Sequence, residues 1–123
     1  MTDSRPFPGQ QVEVLVDRAN GVYVVRLRGA IDASSVEIVK RELSRITSLP
    51  QPRVVVDCSD LYYVNSTGFG MFFAWQRACE KNRGRLALCC VQEKVRKIMG
   101  LLGLEGFVTV CGTRAEATAR VGK

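Results

Sequence analysis

The stretch Arg53–Trp75, "RVVVDCSDLYYVNSTGFGMFFAW", joins two apolar runs of different kinds through the small polar residues Asn65, Ser66 and Thr67. Its first part, Arg53–Ser59, is short, continuous and rich in β-branched residues, the pattern of a strand covered on both faces. That strand is expected to end near Cys58, with Ser59–Val64 crossing as a loop. A helix is then expected from about Ser66 to Asn82, with Gly84 as its stop. A buried strand followed by a helix is the repeating unit of a parallel sheet.

The flanking sequence extends this pattern in both directions. Gln11–Asp17 alternates with period two and Gly21–Gly29 follows across Asn20-Gly21, a strong hairpin signal, so the first two strands are expected to pair antiparallel. Residues 33–48 carry Val36, Ile38, Val39, Leu43 and Ile46 at helical spacing, with Ser34 and Glu37 as a capping box and Pro50 and Pro52 closing the segment. Downstream, Arg85–Val91 reads as a strand and Glu93–Gly103 as a helix stopped by Gly103. Phe107–Gly112 reads as a last strand and Thr113–Gly122 as a last helix. The order β-β-α-β-α-β-α-β-α predicts an α/β fold: a mixed, largely parallel sheet of about five strands with about four helices and right-handed crossovers.

Composition bounds the function. A chain of 123 residues with 46% apolar and 24% charged residues is one globular domain with room for a single substantial core. The start, "MTDSRPFPGQ", lacks the pattern of a secretory signal, and no run approaches the roughly 18 apolar residues of a membrane span, so a cytoplasmic protein without membrane insertion is expected. Five cysteines without CxxC spacing fit reduced thiols acting as small core residues better than a disulfide frame or a zinc site. The absence of histidine removes Ser-His and Cys-His pairs and imidazole-dependent metal sites. The net charge of +6 is spread over groups such as Arg77, Lys81, Arg83 and Arg85, or Lys94, Arg96 and Lys97, which fall on expected solvated helix faces, so direct nucleic-acid binding is not expected.

The junction at Asn65–Gly70 holds the strongest chemical feature. Asn65 and Ser66 are preferred helix caps, and the free N–H groups of a first helical turn favour negative charge, so a phosphate on a hydroxyl there is compatible with the fold. A serine nucleophile is excluded, because Val64 replaces the first glycine of G-x-S-x-G and no histidine can act as base. Gly68 and Gly70 do not complete a dinucleotide motif, because Phe73 fills the third glycine position. Asp57, at a strand end, lacks the neighbouring acidic pair that a magnesium-dependent phosphoacceptor needs. On a helical wheel Met71, Phe72, Ala74, Trp75, Ala78 and Cys79 form the apolar side. Phe69 and Phe73 fall outside it, either covered by a neighbouring element or forming a docking patch beside Ser66. Asp32, in "RGAIDASS", follows a strand at the same end of the sheet, so its loop is expected beside Asn65.

These segments together resemble a known family. "GAID" after a strand, "VVVDCSDLYYVNSTGFGMFF" in the middle and "VRKIMGLLGLEGFVTVCGTRAEATA" at the end are similar to the STAS domain in its single-domain form, the anti-sigma factor antagonist (anti-anti-sigma factor). The resemblance runs from about Val12 to Val121 and implies a STAS-like domain over 11–123, while the proline-containing start, 1–10, is expected to be a flexible N-terminus. It implies a regulator, not an enzyme, with no cofactor and no metal. The unphosphorylated domain would bind an anti-sigma factor that is also a serine kinase; phosphorylation of Ser66 would break that complex, and a serine phosphatase would reset it. With the alternative docking patch of Phe69 and Phe73 added, the partner surface expected is Asp32, Asn65, Ser66, Thr67, Gly68, Phe69 and Phe73. Asn65 stands where the family motif commonly has Asp, which favours one alternative: a constitutive, non-phosphorylated scaffold subunit of a signalling assembly or a membrane transporter complex.

Overall fold

The computed structural model describes residues 12–122. The expected flexible N-terminus, 1–10, lies outside the described residues. The chain runs β1 (Val12–Ala19), β2 (Val22–Ile31), α1 (Val36–Thr47), β3 (Arg53–Val64), α2 (Ser66–Lys81), β4 (Arg85–Cys89), α3 (Glu93–Leu101), a 3-10 turn (Leu104–Gly106), β5 (Val110–Cys111) and α4 (Arg114–Val121). The five strands form one sheet in sequence order, with β1 antiparallel to β2 and every other neighbouring pair parallel. The expected mixed, largely parallel sheet is therefore present, and Asn20 and Gly21, with φ of 55° and 79°, make the tight hairpin that pairs Ala19 with Val22.

Helices cover both faces of the sheet. On one face Val54, Val56, Leu86 and Leu88 meet Val39 and Leu43 of α1, Phe72 and Trp75 of α2 and Met99 of α3 in the main core. On the other face Val55, Ala87, Cys89 and Cys111 meet Ala117 and Val121 of α4 in a smaller core. Alternate residues of Val54–Val56 thus enter opposite cores, which is why this run carries no polar face.

Four local expectations are corrected. Ser59–Val64 is strand, not loop: β3 continues beside β2 as far as Ile31↔Val64, with register shifts between Arg26 and Arg28 and between Gly29 and Ala30. These irregularities break the period of two, so Leu61 and Val64 are buried three residues apart while Ser59, Asp60, Tyr62 and Tyr63 face solvent, a spacing that reads as irregular. The Ser34–Glu37 capping box does not form. The Ser34 hydroxyl instead donates to Asp32 Oδ1 at 2.6 Å, and α1 begins at Val36 behind Ser35, whose hydroxyl donates to the Ala30 carbonyl at 2.9 Å. The stop of α2 is made by Arg83, which takes the left-handed conformation at φ 63°, while Gly84 meets a different need described below. The last strand shrinks to two residues, because the left-handed Gly103 and the 3-10 turn after it use up the approach and leave Phe107 64% exposed.

Candidate functional site

The β3–α2 junction is built from a strand end, a cap and a close glycine contact. Asn65 is the N-cap of α2, extended at φ −82°, ψ 174°, and its Oδ1 accepts from the Gly68 N–H at 2.8 Å. The Asn65 side chain thus meets one of the orphan donors of the first turn, and the Ser66 hydroxyl is left free of the capping duty. Ser66 and Thr67 are both exposed. The Asn65 N–H donates to the Ile31 carbonyl at 2.8 Å, which ties this junction to the end of β2.

Asp32 follows directly after β2, so the two loops lie side by side as the topology requires. Its carboxylate is held by its own turn: Oδ1 accepts from the Ser34 hydroxyl at 2.6 Å, the Ser34 N–H at 3.0 Å, the Ser35 hydroxyl at 3.1 Å and the Ser35 N–H at 3.2 Å. The Ser34 hydroxyl is the strongest influence, and with the other donors it holds the Asp32 carboxyl below its ordinary range despite some desolvation. Asp32 is therefore a fixed negative charge at the rim.

Two residues expected on the surface lie beneath it. Phe69 is only 3% exposed and packs edge-on against Phe72, with ring centroids 6.1 Å apart. The helical wheel placed it outside because it could not show that α2 is covered on two sides near its start. Gly68 is also buried, at a close approach. A Cβ there would stand 2.7 Å from Val64 Cγ1 and 2.9 Å from Ile31 Cγ2, so the helix start can sit this close to both strand ends only without a side chain. Phe73 is half-buried, edge-on to Phe107 at 5.8 Å with the Arg77 guanidinium 5.7 Å from its ring centre. Asp32, Asn65, Ser66 and Thr67 are brought together; Gly68 and Phe69 shape the surface from below.

The Gly68 contact carries a prediction. Alanine normally improves a helix by about 0.5–1 kcal/mol over glycine. The two methyl groups it would meet belong to stiff β-branched side chains, and overpacking of this kind costs about 1–3 kcal/mol. Gly68→Ala is expected to lose about 1 kcal/mol net in urea denaturation, whereas a gain in stability would show that the junction opens easily.

A second polar centre lies under α4 and was missed from sequence because its partners are far apart in the chain. Asp57, with a side chain 5% exposed, accepts from Arg114 Nη2 at 2.6 Å and Nε at 3.2 Å, both through Oδ2, while Oδ1 accepts from the Ser59 N–H at 2.9 Å. Burial pushes this carboxyl up, but the Arg114 and Ser59 hydrogen bonds outweigh it and hold the group below its ordinary value of 3.8. The linked stability is present above that value and is lost as pH falls through the lower folded value. Arg114→Ala is expected to cost about 1–3 kcal/mol at neutral pH. In paired thermal melts the gap from wild type should close below about pH 4, and a gap independent of pH would refute the ion-pair account.

Burial also raises the thiols of Cys58, Cys79 and Cys89, with Cys79 pushed up to about 12. Cys58 and Cys79 act as small apolar residues of the main core. No helix among the described residues is long and apolar enough to cross a membrane.

Comparison with known proteins agrees with this architecture. BtrV of Bordetella bronchiseptica, provisionally named an anti-sigma factor antagonist, is 24% identical over 108 residues, covering 88% of this chain and 93% of its own. An anti-sigma factor antagonist from Mycobacterium paratuberculosis shares the fold with a TM-score of 0.83 at 21% identity, over 96% of this chain and 99% of that one. The Bacillus cell fate determinant SpoIIAA in its phosphorylated form shares it with a TM-score of 0.67 at 23% identity, over 88% and 98%. These relatives are named for antagonising anti-sigma factors or determining cell fate, not for a catalysed reaction. The STAS domain profile matches residues 13–117, from the start of β1 into α4, and the chain belongs to the STAS domain family.

Proposed function

We propose that this protein is an anti-sigma factor antagonist that binds an anti-sigma factor with serine kinase activity and is switched off by phosphorylation of Ser66. It would regulate transcription indirectly, from the cytoplasm. The observation that carries the reading is the exposed Ser66 hydroxyl on the first turn of α2, where Asn65 supplies the cap and leaves that hydroxyl available. In the transfer, Ser66 Oγ loses its proton and gains the terminal phosphoryl group of ATP, and ADP leaves. The product dianion sits against the first-turn N–H groups of Ser66 and Thr67, which lack intrahelical partners and favour negative charge.

The contact surface is Asp32, Asn65, Ser66 and Thr67, with Phe73 at its edge. A kinase-bearing partner would meet this surface in the unphosphorylated state, and a serine phosphatase would restore it. The names of the relatives and the phosphorylated form of SpoIIAA support this reading.

The test is purification of the protein from native cells, with mass spectrometry reading both its partner and the state of Ser66. A kinase-type partner, with phosphate on Ser66 that Ser66→Ala abolishes, is the expected result. Ser66 unmodified under every growth condition, together with a stable non-kinase partner, would overturn it in favour of the constitutive scaffold role.

A further inference from the structure

Away from the Ser66 surface, on the α4 side of the sheet, three ligand-type groups converge. Cys89 Sγ, Cys90 Sγ and a carboxylate oxygen of Asp57 all lie within 4.8 Å of one another. Asp57 and Cys89 are register partners on β3 and β4, so the sheet places them side by side. Cys90 would ordinarily turn to the opposite face, because successive residues of a strand alternate. It does not, because its φ of 61° is left-handed, and its side chain packs with the same small core as Cys89. A left-handed backbone is strained for a residue with a Cβ, and strain of this kind gathers where geometry serves a site.

We propose that Asp57, Cys89 and Cys90 bind a single thiophilic divalent cation of the Zn2+ class. Tetrahedral zinc, with bonds of about 2.3 Å to sulfur and about 2.0–2.2 Å to oxygen, sets its ligands roughly 3.5–3.8 Å apart, so the three groups need to close by about 1.3 Å at most. Two thiolates and one carboxylate suit zinc or cadmium over magnesium or calcium. The charges also balance: three negative ligands against the cation and the Arg114 guanidinium sum to zero. Arg114 donates twice to Oδ2, while Oδ1 accepts from the Ser59 N–H at 2.9 Å. The chain has no histidine, so sulfur and oxygen are the donors such a site must use. Binding releases both thiol protons to solvent, and the half-buried Cys90 provides the way in.

The test titrates the reduced full-length protein with Cd2+ alone and follows the ultraviolet thiolate-to-cadmium charge-transfer band. One Cd2+ per chain, displaced by Zn2+, is expected. Cys90→Gly relieves the left-handed backbone, so it should melt no lower than the metal-free wild type yet bind Cd2+ at least tenfold more weakly. Cys111→Ser, at the register partner of Cys89 on β5 but outside the three-group cluster, should bind as wild type does. Absence of a saturable band would overturn the proposal. So would a band that Cys90→Gly leaves unchanged or that Cys111→Ser removes.

Discussion

Gly84→Ala is expected to destabilise the protein by about 3 kcal/mol or more, the largest single-residue effect on stability anticipated here. A Cβ at this position would lie 1.9 Å from the Pro52 carbonyl oxygen and 2.5 Å from both the Pro52 nitrogen and Cδ. None of these is the far end of a flexible side chain, so the backbone must move. The contact joins two connections that the fold needs close together. Pro52 leads into β3, Gly84 leads into β4, and the Arg85 N–H donates to the Pro52 carbonyl at 2.8 Å as the first rung between them. Gln51 adds a second tie, its N–H donating to the Asn82 carbonyl at 2.8 Å. Separating Gly84 from Pro52 therefore weakens the start of the β3–β4 ladder, which lies at the centre of both cores. Thermal unfolding should show a fall on the order of 10 °C for a domain of this size. A fall of only a degree or two would mean that the segment before β3 shifts at little cost. Left-handed conformation is a separate matter carried by Arg83, so Arg83→Gly should be neutral or mildly stabilising.

Sequence was most informative wherever one local pattern met one local need. The hairpin followed from Asn20-Gly21, because two positive φ values are required there. The doubly buried β3 followed from an unbroken apolar run, and the α2 cap from a small polar residue before a helix. What was hidden depends on events distant in the chain. The extension of β3 was obscured because bulges against β2 change which residues face the core, and a period of two cannot report a break made by the neighbouring strand. The choice between a covered and an exposed Phe69 stayed open because helix periodicity gives one buried face, while α2 starts beneath two strand ends and is enclosed there. The Asp57–Arg114 pair and the Asp57–Cys89–Cys90 cluster arise from strand order and from one left-handed residue, neither of which leaves a spacing rule in the sequence. The result is a site whose polar rim was legible and whose supporting layer was not.

Ser66→Asp is the functional counterpart, expected to leave the fold intact while weakening binding of the proposed kinase-bearing partner by at least tenfold. The two halves of this expectation have separate causes. At the first residue of α2 a carboxylate meets the positive end of the helix dipole, which is worth about 0.3–1 kcal/mol in its favour, so the melting temperature should hold or rise slightly. At the proposed interface the same carboxylate replaces a small neutral hydroxyl in the loop neighbouring that of Asp32, whose own charge is fixed by Ser34 and Ser35. Two negative charges on one docking surface that must both be desolvated cost more than the 1.4 kcal/mol that a tenfold loss represents. A phosphoryl group, with nearly two charges, should weaken binding further than Asp does. Ser66→Ala should bind like the unmodified protein, since Asn65 rather than Ser66 caps the helix. Calorimetric titration of the partner with all four forms reads the order directly: Ala equal to wild type, Asp weaker, phosphoserine weakest. Equal affinity across the series would place Ser66 outside the interface. A loss for Ala as large as for Asp would mean that the hydroxyl is itself a binding contact and that charge is not the switch.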